Sequence, residues 1–137
     1  MSDALFVDTN VFMYLAGGDA DHREACRRAL LAADARGDRL ITSAEVLQEL
    51  LHRYGGASRA EQARNVYSAA VAICDEILPI TERETARALE LLEAHPGLPA
   101  RDALHVASME SRGIARLLSA DRRFDQVEAV QRMDPRA

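Results

Sequence analysis

Short apolar segments alternate with longer segments of helical periodicity along the whole chain. The apolar segments are typical of buried strands, which we predict at residues 4–8, 39–42, 77–80, 115–119 and 129–132. The intervening apolar residues recur at helical spacing and predict helices at 10–16, 22–36, 44–54, 59–74, 82–94 and 102–112. Strands separated by helices pair in parallel, because only such crossovers return the chain to the same end of a sheet. The pattern predicts an α/β fold with helices on both faces of a mainly parallel sheet of four to five strands.

Several helix starts carry capping signals. Asp19 or Asp21 can cap the helix 22–36, and Ser58 is the predicted cap of the helix 59–74. The segments 42–45 and 81–84 both match the T-x-x-E pattern of a capping box. These signals fix where the helices begin relative to the strands before them.

The composition is that of a small cytoplasmic protein with a single domain, which we predict to span residues 1–137. The chain is 48% apolar, which suffices for one core, and its net charge is −5. No segment approaches the roughly 18 consecutive apolar residues of a membrane span. Cys26 and Cys74 lack any neighbouring metal-ligand spacing, so we expect reduced structural cysteines.

The chain contains no lysine, since all 17 residues counted as Lys+Arg are arginine. This absence excludes a Walker A phosphate loop and Schiff-base chemistry, because both need a lysine amine. A receiver domain or an aspartyl-phosphate phosphatase also carries an aspartate after its first strand. Those proteins normally use a lysine against the phosphoryl group, so the phosphotransfer hypothesis is the less favoured alternative.

Acidic residues follow the predicted strands at corresponding places. Asp8 ends the first strand, Asp121 ends the strand 115–119, and Asp102 opens a helix. Glu49 lies on the helix that follows the second strand. In an open parallel sheet these positions converge at the carboxyl edge, where ligands bind. Carboxylates without histidine or cysteine at ligand spacing favour Mg²⁺ or Mn²⁺, and two such ions can hydrolyse a phosphodiester with an activated water.

Each acid also has a structural explanation. Asp102 could be a first-turn residue favoured by the helix dipole, and Asp121 could belong to a solvated turn. Glu45 has a capping role in the segment 42–45, whereas Glu49 has none and is flanked by leucines. We therefore prefer Glu49 as the functional acid and keep Glu45 as the alternative.

Four segments resemble the motifs of PIN-domain ribonucleases, and their order and the chain length resemble the VapC toxins of toxin–antitoxin pairs. The segments are Phe6–Asn10, Thr42–Leu50, Pro99–Ala107 and Leu118–Phe124. The resemblance implies a three-layer αβα fold and Mg²⁺- or Mn²⁺-dependent endoribonuclease activity on RNA. It also implies a homodimer and a small cognate antitoxin as partner. The family's catalytic and metal-binding acids correspond to Asp8, Glu49, Asp102 and Asp121.

Further residues match polar positions around those acids. Thr9 and Asn10 follow the first acid and Ser119 stands beside the last, so we expect them to support the acids by hydrogen bonds. Arg122 and Arg123, next to Asp121, are candidates for holding an RNA phosphate.

Two more residues and one other class of function stay open. His105 follows Asp102 by three residues on the same helix face and could form a hydrogen bond near the site, with a role as general base as the less favoured alternative. Asp125 is a candidate ligand of a second metal ion, with a turn role as the favoured alternative. The resemblance also allows a degenerate PIN module that binds RNA or protein without cleaving.

Overall fold

A five-stranded parallel sheet organises the molecule, which a computed structural model describes from residue 3 to residue 137. The strands are β1 (Ala4–Val7), β2 (Arg39–Ser43), β3 (Glu76–Leu78), β4 (Arg116–Leu118) and β5 (Gln131–Met133). They lie in the order β3-β2-β1-β4-β5, and every neighbouring pair is parallel. The predicted α/β class and parallel sheet are confirmed.

Helices connect the strands as the periodicity predicts. They are α1 (Thr9–Ala16), α2 (Ala20–Ala35), α3 (Ala44–Tyr54), α4 (Ala60–Ile73), α5 (Glu82–Ala94) and α6 (Ala100–Ser111). The connections from β1 to β3 run across the sheet in one direction, and the connections from β3 to β5 run in the other. Because parallel crossovers are right-handed, the two sets of helices cover opposite faces and give three layers. Within residues 3–137, no helix is both long and apolar enough to cross a membrane.

The strand order reverses direction between β1 and β4, at the centre of the sheet. Leu5, Phe6 and Val7 of β1 are fully buried. The backbone N–H of Asp8 donates to the carbonyl of Leu118 at 3.1 Å, so the chain leaves β1 directly beside the end of β4. Such a reversal opens a crevice outside the carboxyl ends of the two strands.

Two predicted caps are confirmed. The Asp19 side chain accepts a hydrogen bond from the backbone N–H of His22 at 2.8 Å and caps α2. At the start of α5, the carboxylate of Glu84 accepts the backbone N–H of Thr81 at 2.7 Å, as a capping box requires.

Two other caps were predicted wrongly. Thr42 belongs to β2, where its hydroxyl donates to the carbonyl of Val7 at 2.8 Å, and Ser43 caps α3 instead. Glu45 therefore has no capping partner. Ser58 lies inside a short 3₁₀ turn, Ala57–Arg59, and α4 begins after it without a side-chain cap. In both cases tertiary contacts or an extra turn override a local pattern.

Candidate active site

The four predicted acids line one cleft of about 360 Å³ at the carboxyl edge of the sheet. Asp8 follows β1, Glu49 lies on α3, Asp102 lies in the first turn of α6, and Asp121 follows β4. Helix α6 begins at Ala100, earlier than predicted, so Asp102 sits within the helix rather than at its start. Four separate elements thus bring carboxylates to the crevice that the strand order creates.

The carboxylate of Asp8 is held by three neighbours. Its Oδ1 accepts the backbone N–H of Thr9 at 2.7 Å. Its Oδ2 accepts the hydroxyl of Ser119 at 2.6 Å and the side-chain amide of Asn10 at 3.1 Å. Burial raises the pKa of Asp8 above its usual value, and His105 together with the hydrogen bond from Ser119 offsets this only in part. Thr9, Asn10 and Ser119 therefore contact the first acid as the sequence predicts.

Ser119 and Asn10 also join the end of β1 to the segment after β4. The Asn10 amide donates to the Ser119 hydroxyl at 3.1 Å, and its carbonyl oxygen accepts the backbone N–H of Ala120 at 3.3 Å. The Ser119 hydroxyl accepts the backbone N–H of Asp121 at 3.0 Å. This network fixes the first and last acids relative to each other.

Glu49 reaches the cleft from one turn inside α3. Its Oε1 lies 2.7 Å from Nε2 of His105 and 3.1 Å from the hydroxyl of Thr9. Its Oε2 lies 3.6 Å from Nε of Arg101. Burial acts to raise the pKa of Glu49, but the hydrogen bonds from His105 and Thr9 and the charges of His105 and Arg101 together lower it.

Asp102 is the unpaired acid of the group. It is 6% exposed, and its Oδ2 is buried without a hydrogen-bond partner among residues 3–137. Burial, with the nearby charges of Asp8 and Asp121, raises the pKa of Asp102 to about 7. A buried carboxylate oxygen without a donor is costly unless a cation or a proton is close to it.

Asp121 is paired with its own neighbour in the chain. Nη2 of Arg123 lies 2.7 Å from Oδ2 of Asp121, and the backbone N–H of Arg123 donates to Oδ1 at 2.9 Å. The hydrogen bond from Arg123 lowers the pKa of Asp121. Arg122 is exposed and does not line the cleft, whereas Arg53 and Arg101, which the sequence did not single out, do.

Glu45 and Asp125 lie outside this cleft lining. Glu45 is half-buried, makes no side-chain hydrogen bond within residues 3–137, and has a pKa raised mainly by burial. The Asp125 carboxylate accepts two hydrogen bonds from Arg132, at 2.8 and 3.0 Å. Asp125 is thus paired at the surface, and its part in binding a second metal ion stays a prediction.

His105 forms a hydrogen bond near the site, as its helix face predicts, but it lies behind the acids. Its side chain is fully buried and is not part of the cleft lining, so a substrate in the cleft does not reach the ring. The candidate role of general base does not fit this position. The spacing of His105 from Asp102 on α6 predicts that it lies near the site. The sequence does not predict that its hydrogen-bond partner is Glu49, which is 56 residues away.

The donors of the cleft suit a hard divalent cation. All four acids offer carboxylate oxygens, and Oδ2 of Asp102 is a buried acceptor without a donor. No group of three or more His, Cys, Asp or Glu side chains between residues 3 and 137 has a geometry that would hold a metal ion as it stands.

Comparison with known proteins places this site in a family. A model of the PIN domain matches residues 5–130. Ribonuclease VapC13 of Mycobacterium tuberculosis is 40% identical over 129 residues, which cover 94% of this chain and 98% of VapC13. The chain belongs to the PIN-domain family of VapC ribonucleases. The four acids of this PIN domain lie within the matched residues.

Solved structures have the same fold. The VapC20 structure from Mycobacterium tuberculosis, described as a sarcin–ricin loop cleaving toxin, has a TM-score of 0.67 and 27% identity. The aligned residues cover 89% of this PIN domain and 93% of VapC20. A toxin–antitoxin complex from Klebsiella pneumoniae has a TM-score of 0.71 at 21% identity, over 97% of this chain and 98% of that one.

Proposed function

We propose that this chain is a divalent-metal-dependent endoribonuclease that acts as the toxin of a toxin–antitoxin pair. The observation that carries the proposal is the convergence of Asp8, Glu49, Asp102 and Asp121 on one cleft, with an unpaired buried oxygen on Asp102. The similarity to VapC ribonucleases over almost the whole chain supports RNA as the substrate.

The residues of the cleft form two groups: acids that would hold a cation, and polar residues that orient those acids. The four acids would hold Mg²⁺ or Mn²⁺, which supplies Lewis-acid chemistry for phosphodiester hydrolysis. Thr9, Asn10 and Ser119 fix the carboxylate of Asp8 through hydrogen bonds. Support of this kind sets the direction in which a ligand oxygen points.

Arginines beside the acids give the cleft a means of binding RNA. Arg123 and Arg101 line it, and both side chains are 56% exposed, so they can contact a phosphate from solvent. Arg122 was predicted for the same role from its position in the sequence. Arg122 is not among the residues that line the cleft, and its contact with RNA stays a prediction.

The purified chain is expected to cleave single-stranded RNA only when Mg²⁺ or Mn²⁺ is present. The cleft is lined by four carboxylates, three arginines and the exposed His52, and the chain has no lysine. The converging carboxylates suit a hard divalent cation. Gel analysis of a labelled RNA with Mn²⁺, with EDTA, and with EDTA followed by excess Mn²⁺ measures this. Cleavage of equal rate in EDTA contradicts the mechanism.

Two alternatives are separated by further measurements on the same sample. A degenerate module would bind RNA or protein but leave RNA intact, and weak or absent Mn²⁺ binding would favour it. A phosphotransfer domain would accept a phosphoryl group from an acyl-phosphate donor. The presence of all four carboxylates in the cleft favours cleavage over both.

We also propose a small antitoxin as partner. An arginine of such a peptide could enter among the acids through charge-assisted hydrogen bonds. An amphipathic helix could pack in the apolar groove between α1 and α4, which Phe12, Leu15, Val66 and Ile73 line. The homodimer implied by the family stays a prediction.

Expression of the chain alone is expected to stop bacterial growth, and coexpression of an antitoxin encoded beside the gene is expected to restore it. Colony counts after induction measure both effects. Asp8→Asn is the control, because it removes a proposed metal ligand but leaves the apolar groove unchanged, so it should be harmless and still bind the antitoxin. Normal growth of cells that express the wild-type chain contradicts the toxin assignment.

A further inference from the structure

His105 lies behind the acids of the cleft and is fully buried. Its ring packs against Phe6 of β1, with centroids 5.9 Å apart and an interplanar angle of 41°. Its Nε2 lies 2.7 Å from Oε1 of Glu49 and 3.6 Å from Oδ1 of Asp8. Its Nδ1 is buried without a hydrogen-bond partner among the described residues. The ring therefore interacts with the site through one nitrogen.

This nitrogen acts as a donor. The carboxylate oxygen of Glu49 accepts, so Nε2 carries the hydrogen of the 2.7 Å contact. The hydroxyl of Thr9 donates to the same oxygen at 3.1 Å. Two donors from the buried side thus hold Oε1 of Glu49, which directs Oε2 towards the cleft, where Arg101 lies 3.6 Å away.

A packing role alone would not need a histidine. The position is fully buried beside an aromatic ring, where a leucine or methionine would fill the space without an unpaired Nδ1. An unsatisfied polar atom in the core is a cost that the hydrogen bond to Glu49 has to offset. The donor nitrogen next to the acids is therefore the property that distinguishes histidine here.

We propose that His105 is a positioning residue, which holds the Glu49 carboxylate in the orientation that binds the divalent cation. The inference rests on the proposed function, because it assumes that Glu49 is a ligand. His105 contacts neither the substrate nor the cation. It acts through Glu49, as residues that support a metal ligand do.

Removal of the donor should weaken metal binding more than it changes RNA binding. We expect His105→Leu to lower the Mn²⁺ affinity about 10- to 100-fold, the usual effect of losing such a support. His105→Gln should recover most of the affinity, since its amide also donates from the ε position. Titration calorimetry of the metal-free protein with Mn²⁺ measures this. His22→Leu is the matched control, since His22 contacts the carboxylate of Asp19 away from the cleft.

A double-mutant cycle assigns the effect to Glu49. In a Glu49→Gln background, His105→Leu should cause little further loss of Mn²⁺ affinity, because the two changes disrupt one interaction. Cleavage should agree with binding. The Mn²⁺ concentration for half-maximal cleavage should rise by the same factor in His105→Leu, while KM for RNA at saturating Mn²⁺ stays unchanged.

The outcomes separate this inference from the proposed function. Wild-type Mn²⁺ affinity in a folded His105→Leu variant, verified by circular dichroism, overturns the role of His105 and leaves the nuclease proposal standing. An equal loss of Mn²⁺ affinity in His105→Leu and His105→Gln also overturns the role of His105 and leaves the nuclease proposal standing. If the wild-type chain binds no Mn²⁺, both proposals are wrong. If His105→Leu does not fold, His105→Met, which also lacks a donor, replaces it in every comparison.

Discussion

Asp8→Asn is expected to slow RNA cleavage by about 10³-fold or more. A metal ion stabilises the transition state by several kcal/mol, and each 1.36 kcal/mol that is lost slows the reaction tenfold. The amide keeps the size of the side chain but removes the charge that a cation needs. Glu49→Gln, Asp102→Asn and Asp121→Asn should have effects of similar size. Single-turnover cleavage of a labelled RNA at saturating Mn²⁺ measures each rate.

Glu45→Gln is the matched control for Glu49→Gln. Glu45 lies one turn earlier on α3, outside the cleft lining, and makes no side-chain hydrogen bond within residues 3–137. Its variant should keep a rate close to that of the wild-type chain and lose no helix cap, since Ser43 caps α3. An inactive Glu45→Gln together with an active Glu49→Gln would show that the second acid is Glu45.

Asp102→Asn is expected to stabilise the metal-free protein at pH 8. Burial and neighbouring acids raise the pKa of Asp102 from 3.8 to about 7. Between these values the folded protein keeps a proton that the unfolded chain has lost, so the stability of the wild-type chain falls as the pH rises through this window. The asparagine variant avoids this loss, and its advantage should reach a few kcal/mol above pH 7, since one pKa unit is worth 1.36 kcal/mol.

Urea denaturation in EDTA at pH 4, 6 and 8 tests this prediction. The difference in the free energy of unfolding between Asp102→Asn and the wild-type chain should grow with pH and level off above pH 7. Asp121→Asn is the control, because the Asp121 carboxylate is already paired with Arg123 and its pKa is lowered. It should show no such gain. A difference for Asp102→Asn that does not change with pH would mean that folding does not raise the pKa of the Asp102 carboxylate.

Local patterns predicted most of the fold because they depend on neighbours in the sequence. Apolar runs gave β1, β2 and β4, and the rule that parallel strands share a carboxyl edge brought Asp8 and Asp121 together. Glu49 was chosen because it lacked a local role, and it does line the cleft. The catalytic role of these acids stays a prediction until the variants are measured.

Predictions failed where distant residues decide the outcome. Thr42 fits a capping box, but its hydroxyl binds Val7, 35 residues earlier, once β1 and β2 pair. The hydrogen bond between His105 and Glu49 joins α6 to α3, and the apolar pattern within each helix does not predict that the two helices are in contact. The arginines of the cleft likewise come from α3, α6 and the segment after β4. Contacts of this kind follow from the packing of elements and not from the pattern within any one of them.

The hydrogen bonds of the cleft also govern when the site can form during translation. The bond between Asp8 and Ser119 spans 111 residues, and β1 cannot pair with β4 until Leu118 has been synthesised. A nascent chain on the ribosome therefore holds Asp8 long before the partners that orient it. Contacts between such distant residues form late because the intervening chain must first be ordered. A truncated translation product that stops before Ser119 has no assembled site and would be harmless to the cell that makes it.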